Sequence, residues 1–114
     1  MSTVVVLTKT GIGSLASEHS AFGAEMLDKF LHTMEPEELR PEVICLYTDG
    51  VKLACEGSPV RLGLNLLEGL GVRVLVCQTC LDYFGLREEL IIGQVVTMKD
   101  IVSELRHATR ILYP

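Results

Sequence analysis

The chain has 114 residues, a formal charge of −5 at pH 7 and 48% apolar residues. This length fits a single domain over residues 1–114, and the apolar content excludes an intrinsically disordered chain. The surplus of acidic residues, without any run of Lys or Arg, argues against binding to nucleic acid or to an anionic membrane, and no apolar stretch approaches the ~20 residues of a membrane-spanning helix.

Runs of apolar, often β-branched residues alternate along the chain with segments in which apolar residues have helical spacing. The runs predict strands buried on both faces, and the spaced segments predict amphipathic helices. In chain order, the predicted elements are strand 3–8, helix 22–34, strand 43–47, helix 59–70, strand 72–76, short helix 86–90, strand 95–96, helix 97–105 and strand 110–113.

Polar residues predict where the helices begin. Ser17 or Ser20 is expected to cap the first long helix, and Ser58, which precedes a proline, to cap the second. Thr97 and Asp100 are spaced as in a capping box, although Asp stands where Glu is usual. These signals set the expected starts of the three long helices.

The βαβαβ(α)βαβ order of elements is typical of an α/β fold, in which helices cover both faces of a parallel sheet and the crossovers are right-handed. In such sheets, ligands and chemistry sit beyond the carboxyl ends of the strands. The predicted loops at that edge are residues 9–17, 48–58 and 77–83. These loops are therefore where we expect functional residues.

Cys77 and Cys80 form a Cys-x-x-Cys motif in the third loop, and this motif carries the main chemical signal. Cys77 is expected at the end of a strand and Cys80 near the start of a helix, where the helix dipole favours a thiolate. Their spacing lets two sulfur atoms form a disulfide or share an incoming sulfur. The structural alternative is a pair of small hydrophobic residues packed under a loop.

Other uses of the cysteines are weighed against this one. No signal peptide is apparent, so we expect a cytoplasmic protein, in which four cysteines indicate thiol chemistry or metal binding rather than a disulfide scaffold. A structural zinc site needs four ligands, whereas this chain has one Cys-x-x-Cys and scattered histidines. We therefore expect no metal and no cofactor.

The glycines after the first strand form a second motif. Gly11-Ile12-Gly13-Ser14-Leu15-Ala16 matches the dinucleotide-binding fingerprint. The βαβ unit around it is longer than the ~30 residues expected, and no acidic residue closes a second strand at the required distance. We therefore expect no nucleotide there but a flexible strand-to-helix loop that acts as a lid over the site.

Four other residues are candidates for tuning a thiolate, and a fifth is a candidate for the core. Cys55 lies in the second loop and is able to approach the Cys-x-x-Cys motif in space, although burial is the alternative. Lys52, Asp82 and Arg87 are suited to tune a thiolate or hold an anionic sulfur species, or else are solvated charges. Cys45, in mid-strand, is expected in the core.

A set of short motifs runs in order over nearly the whole chain. They are Asp49-Gly50-Val51-Lys52-Leu53, Glu56-Gly57-Ser58, Cys77-Gln78-Thr79-Cys80-Leu81-Asp82-Tyr83, Gly85-Leu86, Gly93 and Met98-Lys99-Asp100-Ile101-Val102. In order and spacing they resemble the DsrE-like domain of YedF-type proteins, a sulfurtransferase-like group of selenium metabolism. The resemblance implies a DsrE/F-like fold, a three-layer α/β/α domain with a mostly parallel five-stranded sheet.

The resemblance also implies partners and roles. It implies homo-oligomers, often trimers or hexamers, and a TusA-like sulfur carrier that acts in trans. Cys77 matches the cysteine that carries a persulfide, and Cys80 is its partner or resolving thiol. Residues expected to support the site or to bind substrate are Gln78, Thr79, Asp82, Asp49, Lys52 and Cys55.

Together these features predict a carrier of sulfur or selenium, or a sulfurtransferase subunit. The Cys77 thiolate attacks the terminal sulfur of a donor persulfide, and Cys80 then takes the sulfur or releases it by forming a disulfide. The alternatives are a non-catalytic oligomeric binding or regulatory module and a thiol-disulfide oxidoreductase. Apolar residues expected at an oligomer interface surround the cysteine loop, namely Leu81, Tyr83, Phe84, Ile91 and Ile92.

Overall fold

A computed structural model of the protein describes residues 2–34 and 39–114. The strands are β1 (Thr3–Leu7), β2 (Val43–Leu46), β3 (Arg73–Cys77), β4 (Gln94–Val96) and β5 (Arg110–Leu112). The α-helices are α1 (Ser20–Met34), α2 (Arg61–Gly69), α3 (Gln78–Phe84) and α4 (Met98–His107). Short 3₁₀ helices span Ser17–His19, Thr48–Ala54 and Arg87–Glu89.

The strands form one parallel sheet in the order β4-β3-β2-β1-β5. The middle strands β1, β2 and β3 are buried along nearly their whole length, as their continuous apolar runs predict for strands covered on both faces. The predicted α/β fold with a five-stranded parallel sheet flanked by helices is therefore confirmed. Its register aligns Leu7 with Leu46 and Leu46 with Val76, so the carboxyl ends of the three central strands meet at one edge.

The start of α2 differs from the prediction. The helix begins at Arg61 and its N-cap is Val60, so Ser58 does not cap it. The Ser58 hydroxyl instead accepts a hydrogen bond from the backbone N–H of Val60 at 3.2 Å. A serine that bonds two residues ahead stabilises a turn in place of the first helical turn, and the helix is therefore delayed beyond Pro59.

The segment after β3 also differs from the prediction. Helix α3 begins directly after Cys77, and Gly85, in the left-handed conformation at φ 67°, ends it. The helix predicted at 86–90 is only the 3₁₀ turn Arg87–Glu89. Glycine adopts positive φ without strain, so Gly85 ends the helix, and the cysteine motif therefore lies at the start of α3.

The predicted start of α4 is confirmed. The Thr97 side chain accepts a hydrogen bond from the Asp100 N–H at 3.3 Å, and the Asp100 carboxylate accepts one from the Thr97 N–H at 3.0 Å. These bonds hold the pKa of Asp100 below its usual range. The capping box therefore forms with Asp at its third helical position.

Removing the capping hydroxyl should weaken the fold. We expect Thr97→Ala to lower the free energy of unfolding by about 1 kcal/mol, because the Asp100 N–H loses its acceptor and the Asp100 carboxylate loses the bond from the Thr97 hydroxyl. Thr33→Ala is the matched control: its hydroxyl bonds the Lys29 carbonyl within α1, and its removal should be nearly neutral. Urea denaturation of both variants measures the difference, and equal losses would contradict the capping role.

Gly11 allows the loop after β1 to pack closely against α1. A Cβ on Gly11 would lie 2.6 Å from the backbone carbon of Gly23 in α1, too close for any side chain. The Ile12 N–H donates to the Gly23 carbonyl at 3.1 Å, and the Lys9 ammonium donates to the Gly13 carbonyl at 2.9 Å. The loop is therefore bonded to the helix that follows it.

Most of the residues predicted at an oligomer interface belong to the chain's own packing. Leu81 is 0% exposed and Ile92 is 3% exposed, and both lie in the hydrophobic core. Phe84 and Ile91 are half-buried against that core, whereas Tyr83 is 83% exposed. Of the five predicted interface residues, only Tyr83 is exposed, and the other four contribute to the hydrophobic core of the monomer.

Within residues 2–34 and 39–114, no helix has the length and apolar character needed to cross a lipid bilayer.

Candidate functional site

The candidate site lies at the carboxyl edge of the sheet, where the chain leaves β1, β2 and β3. Cys77 is the last residue of β3, as predicted, and Cys80 lies in the first turn of α3. Thr48 follows the neighbouring strand β2 and is the residue that contacts this motif from outside β3 and α3. Parallel strands bring such residues together although more than 30 positions separate them in the chain.

The two cysteines differ in access to solvent. Cys77 is 1% exposed, whereas Cys80 is only partly buried. The two thiols are near neighbours, and Cys77 is one of the groups that raise the pKa of Cys80. The motif therefore presents one accessible sulfur with a second sulfur behind it.

The pKa of Cys80 is raised above its ordinary value, as the net result of opposing effects. Burial raises it most, and the neighbouring Cys77 thiol raises it further. The backbone N–H of Thr48, which donates to the Cys80 sulfur at 3.1 Å, acts in the opposite direction and lowers it. The N–H favours the thiolate because a negative sulfur accepts a stronger hydrogen bond than a neutral one.

The segment that carries Thr48 is locked onto β1. The Tyr47 N–H donates to the Leu7 carbonyl at 3.3 Å. Gly50 packs so closely that a Cβ on it would lie 1.9 Å from the same Leu7 oxygen. Only glycine fits this position, so the Asp-Gly turn predicted after β2 has a packing role as well as a turn role.

The charged residues predicted beside the cysteines are engaged elsewhere. Lys52 forms an ion pair with Asp49 at 2.8 Å, and its ammonium lies 4.4 Å from the centre of the Phe84 ring. Asp82 accepts two hydrogen bonds from Arg87, each at 3.0 Å. These pairs brace α3 against its surroundings, and the structure places them in contacts with one another rather than with the thiols.

The remaining predicted residues of the motif are accessible. Gln78 and Thr79 occupy the first two positions of α3 and are exposed beside Cys77 and Cys80. They therefore border the thiols at the surface, where a substrate or a partner protein would approach.

Cys55 lies in a different environment. It is buried, its thiol donates to the Val51 carbonyl at 3.3 Å, and burial followed by the charge of Glu89 raises its pKa. An antiparallel bridge to Leu90 fixes its backbone. It lines a mainly apolar cleft of about 380 Å³ that also includes Lys52.

A larger cleft, of about 520 Å³, opens at the opposite edge of the sheet and includes residues near the amino ends of the strands. Arg73 and Glu104 in its wall form a two-fold hydrogen-bonded ion pair at 2.8 and 2.9 Å. This pair lowers the pKa of Glu104. The larger cleft holds no cysteine, so the thiol edge remains the better candidate for chemistry.

Alkylation should distinguish the cysteines. Cys45 lies in the core, as predicted, and burial raises its pKa to about 11. At pH 8 a shift of this size alone reduces the thiolate of a cysteine by about 100-fold. We expect iodoacetamide to label Cys80 first and Cys45 last in the native protein, as read by peptide mass spectrometry. Labelling of Cys45 ahead of Cys80 would contradict the described burial.

Among the described residues, 2–34 and 39–114, no group of three or more His, Cys, Asp or Glu side chains is arranged to hold a metal ion.

Three solved structures share this architecture. The ychN protein from Escherichia coli has a TM-score of 0.70 and 21% identity, and the match covers 100% of both chains. A conserved protein of unknown function from Bacteroides thetaiotaomicron has a TM-score of 0.64 and 20% identity, over 98% of this chain and 94% of that one. A protein of unknown function from Methanobacterium thermoautotrophicum has a TM-score of 0.67 and 19% identity over both full chains.

No family model and no curated protein matches the chain. The structural similarities support the DsrE/F-like fold that the sequence resemblance implied. Fold and site together define an α/β protein with two neighbouring thiols at the carboxyl edge of its sheet.

Proposed function

We propose that this protein is a sulfur-carrier or sulfurtransferase subunit of the YedF-like type, which accepts persulfide sulfur at its Cys-x-x-Cys motif. The observation that carries the proposal is the pair of neighbouring thiols, one accessible and one buried, at the edge where α/β sheets perform chemistry. The proposal includes selenium as the transferred atom in place of sulfur, at the same two thiols.

The order of the two thiols follows from their burial. Cys80 is the receiving thiol in this proposal, because a bulky donor cannot reach a residue that is 1% exposed without opening the fold. This order reverses the roles suggested by the resemblance, in which Cys77 receives the sulfur. Cys77, which is buried, then reacts in a second step with the sulfur carried by Cys80.

The transfer is a thiol–persulfide exchange. The Cys80 thiolate attacks the terminal sulfur of a donor persulfide, the donor's S–S bond breaks, and the donor leaves as a thiolate. Cys80 then carries the sulfur as a persulfide. Attack of the Cys77 thiolate on the inner sulfur forms the Cys77–Cys80 disulfide and expels the outer sulfur as hydrosulfide, whereas attack on the outer sulfur moves it to Cys77.

Partners form part of the proposal. A TusA-like protein is a suitable donor because its sulfur is itself a protein persulfide, which must approach the exposed face formed by Gln78 and Thr79. A homo-oligomer, trimeric or hexameric, is also proposed. The exposed leucines of α2, which lie four residues apart, are apolar side chains that a second copy would cover, namely Leu62, Leu66 and Leu70.

The intact mass of the protein after incubation with glutathione persulfide tests the function. A carrier gains the mass of one sulfur atom, which dithiothreitol removes, or it releases hydrosulfide and loses two hydrogen atoms once Cys77 has expelled that sulfur. A thiol-disulfide oxidoreductase, the second candidate, is favoured by the same proximity of the two thiols, and it loses two hydrogen atoms when treated with a disulfide without gaining sulfur or releasing hydrosulfide. A chain that shows neither change is a binding module without thiol chemistry.

A further inference from the structure

Thr48 adopts an unusual backbone conformation beside the thiols. Its φ is 50°, which makes it the only residue other than glycine with positive φ in the described parts of the chain. β-branched residues are strongly disfavoured in this left-handed region, because their side chain crowds the backbone. Such a conformation persists only where surrounding contacts determine it.

The contacts that hold Thr48 come from its own hydroxyl. The hydroxyl lies 2.9 Å from the Thr8 carbonyl, beyond the end of β1, and 2.7 Å from the Tyr47 carbonyl. It has one proton to donate, so it bonds these two oxygens alternately or shares the proton between them. Either bond fixes the Thr48 side chain to a backbone carbonyl that is not part of the cysteine motif.

The left-handed turn has one consequence for the site: it directs the Thr48 N–H at the Cys80 sulfur, 3.1 Å away. Gly50, two residues later, is seated on the Leu7 carbonyl, so the chain on the far side of Thr48 cannot shift to compensate. The donor is therefore fixed in place before any charge develops on the sulfur.

We propose that Thr48 is a positioning residue, whose hydroxyl tether to Thr8 holds a strained backbone N–H on the sulfur of Cys80 and thereby stabilises the anionic thiolate. This proposal deepens the proposed function, on which it rests for its biological purpose. The same N–H would bond the Cys80 sulfur each time a donor thiolate or persulfide is exchanged there.

Substitutions of Thr48 distinguish the effect of its backbone N–H from the effect of its side-chain hydroxyl. Thr48→Val keeps the shape of threonine but lacks the tether, so the backbone should relax to negative φ and turn the N–H away. Thr48→Ser keeps the tether. Thr48→Gly lacks the tether but adopts positive φ without strain, so its N–H is able to stay in place.

The measurement is the pH profile of Cys80 alkylation, resolved by peptide mass spectrometry. For Thr48→Val we expect the midpoint to rise by about one pH unit and the rate at pH 7 to fall about tenfold, because loss of the N–H disfavours the thiolate. Thr48→Ser should restore the wild-type profile, and Thr48→Gly should lie near it. A merely structural role would change the thermal midpoint of unfolding without moving this pH profile.

If Thr48→Val does not fold, Thr48→Ala replaces it, since alanine also lacks the hydroxyl, is less bulky than valine and, unlike glycine, is still disfavoured at positive φ. An unchanged profile in the folded variant would overturn the proposal, as would a serine variant that behaves like valine. Sulfur loading is scored separately. A protein that never loads sulfur but shows the expected Thr48 profiles refutes the carrier function alone, and one that loads sulfur with unchanged profiles refutes the positioning role alone.

Discussion

Cys80→Ser should reduce sulfur loading from glutathione persulfide to the background of an unreactive protein. The variant removes the accessible sulfur that we propose as nucleophile, and serine cannot form a persulfide. Cys77→Ser should still load one sulfur at Cys80, because the accessible thiol and its hydrogen bond from Thr48 are unchanged. It should release little hydrosulfide, since no second thiol is present to form the disulfide. Intact mass and released sulfide measure the two effects.

Cys55→Ser is the matched control for this pair. Cys55 is buried and bonded to the Val51 carbonyl, a hydrogen bond that a serine hydroxyl is able to replace. Loading should remain at the wild-type level. If Cys77→Ser abolishes loading and Cys80→Ser preserves it, the order of the thiols is the one that the sequence resemblance implied. If both variants load like the wild type, the motif is not the carrier.

Among the glycine-to-alanine changes, Gly50→Ala should destabilise the protein most. The new Cβ would lie 1.9 Å from the Leu7 carbonyl oxygen and 2.7 Å from its carbon, and both are backbone atoms within the sheet. The backbone must shift to accommodate it, and we expect a loss of about 3 kcal/mol in the free energy of unfolding. Urea denaturation with unchanged m-value measures this loss.

Gly69→Ala provides the control for this substitution. Gly69 lies at the end of α2, and a Cβ there meets no atom within 4 Å. Alanine favours the helix over glycine by up to about 1 kcal/mol, so the control should be neutral or stabilising. A small effect of Gly50→Ala would show that the Leu7 edge yields easily, and would weaken the argument that Thr48 is held in place from this side.

The prediction from sequence was strongest where local pattern and burial coincide. The apolar runs in β1, β2 and β3 predicted buried parallel strands, because strands covered on both faces carry no alternation. The capping box of α4 was predictable from Thr97 and Asp100, since both its bonds form within four residues. The position of Cys77 at the end of its strand followed from the same local pattern.

Local signals misled where two of them competed. Ser58 and the proline after it predicted a helix start, but the Ser58 hydroxyl stabilises a preceding turn instead. A helix start was expected near Cys80 and α3 does begin at Gln78, but the further helix predicted at 86–90 is only a 3₁₀ turn, because Gly85 ends α3. Leu81 and Ile92 were predicted at an interface, because a sequence does not show which apolar surface the chain covers by itself.

Thr48 was not identified from sequence at all. A threonine before Asp-Gly predicts a turn, and nothing in the pattern indicates positive φ or a contact with Cys80. Lys52 and Asp82 carry the charges expected beside a thiolate, yet each is paired with a charged residue nearby in the chain. The contact between Thr48 and Cys80 joins distant segments and depends on sheet register, which one sequence does not reveal.

The sequence by itself determined the parallel α/β sheet and the edge at which two thiols would lie, because both depend on apolar runs and on the residues directly after them. The tertiary structure alone decided which thiol is accessible and what stabilises it. Cys77 is buried where β3 ends and α3 begins, and Cys80 receives its hydrogen bond because β2 lies beside β3 and places Thr48 next to it. Burial and directed hydrogen bonds arise from packing between segments, so they exist only once the sheet has formed.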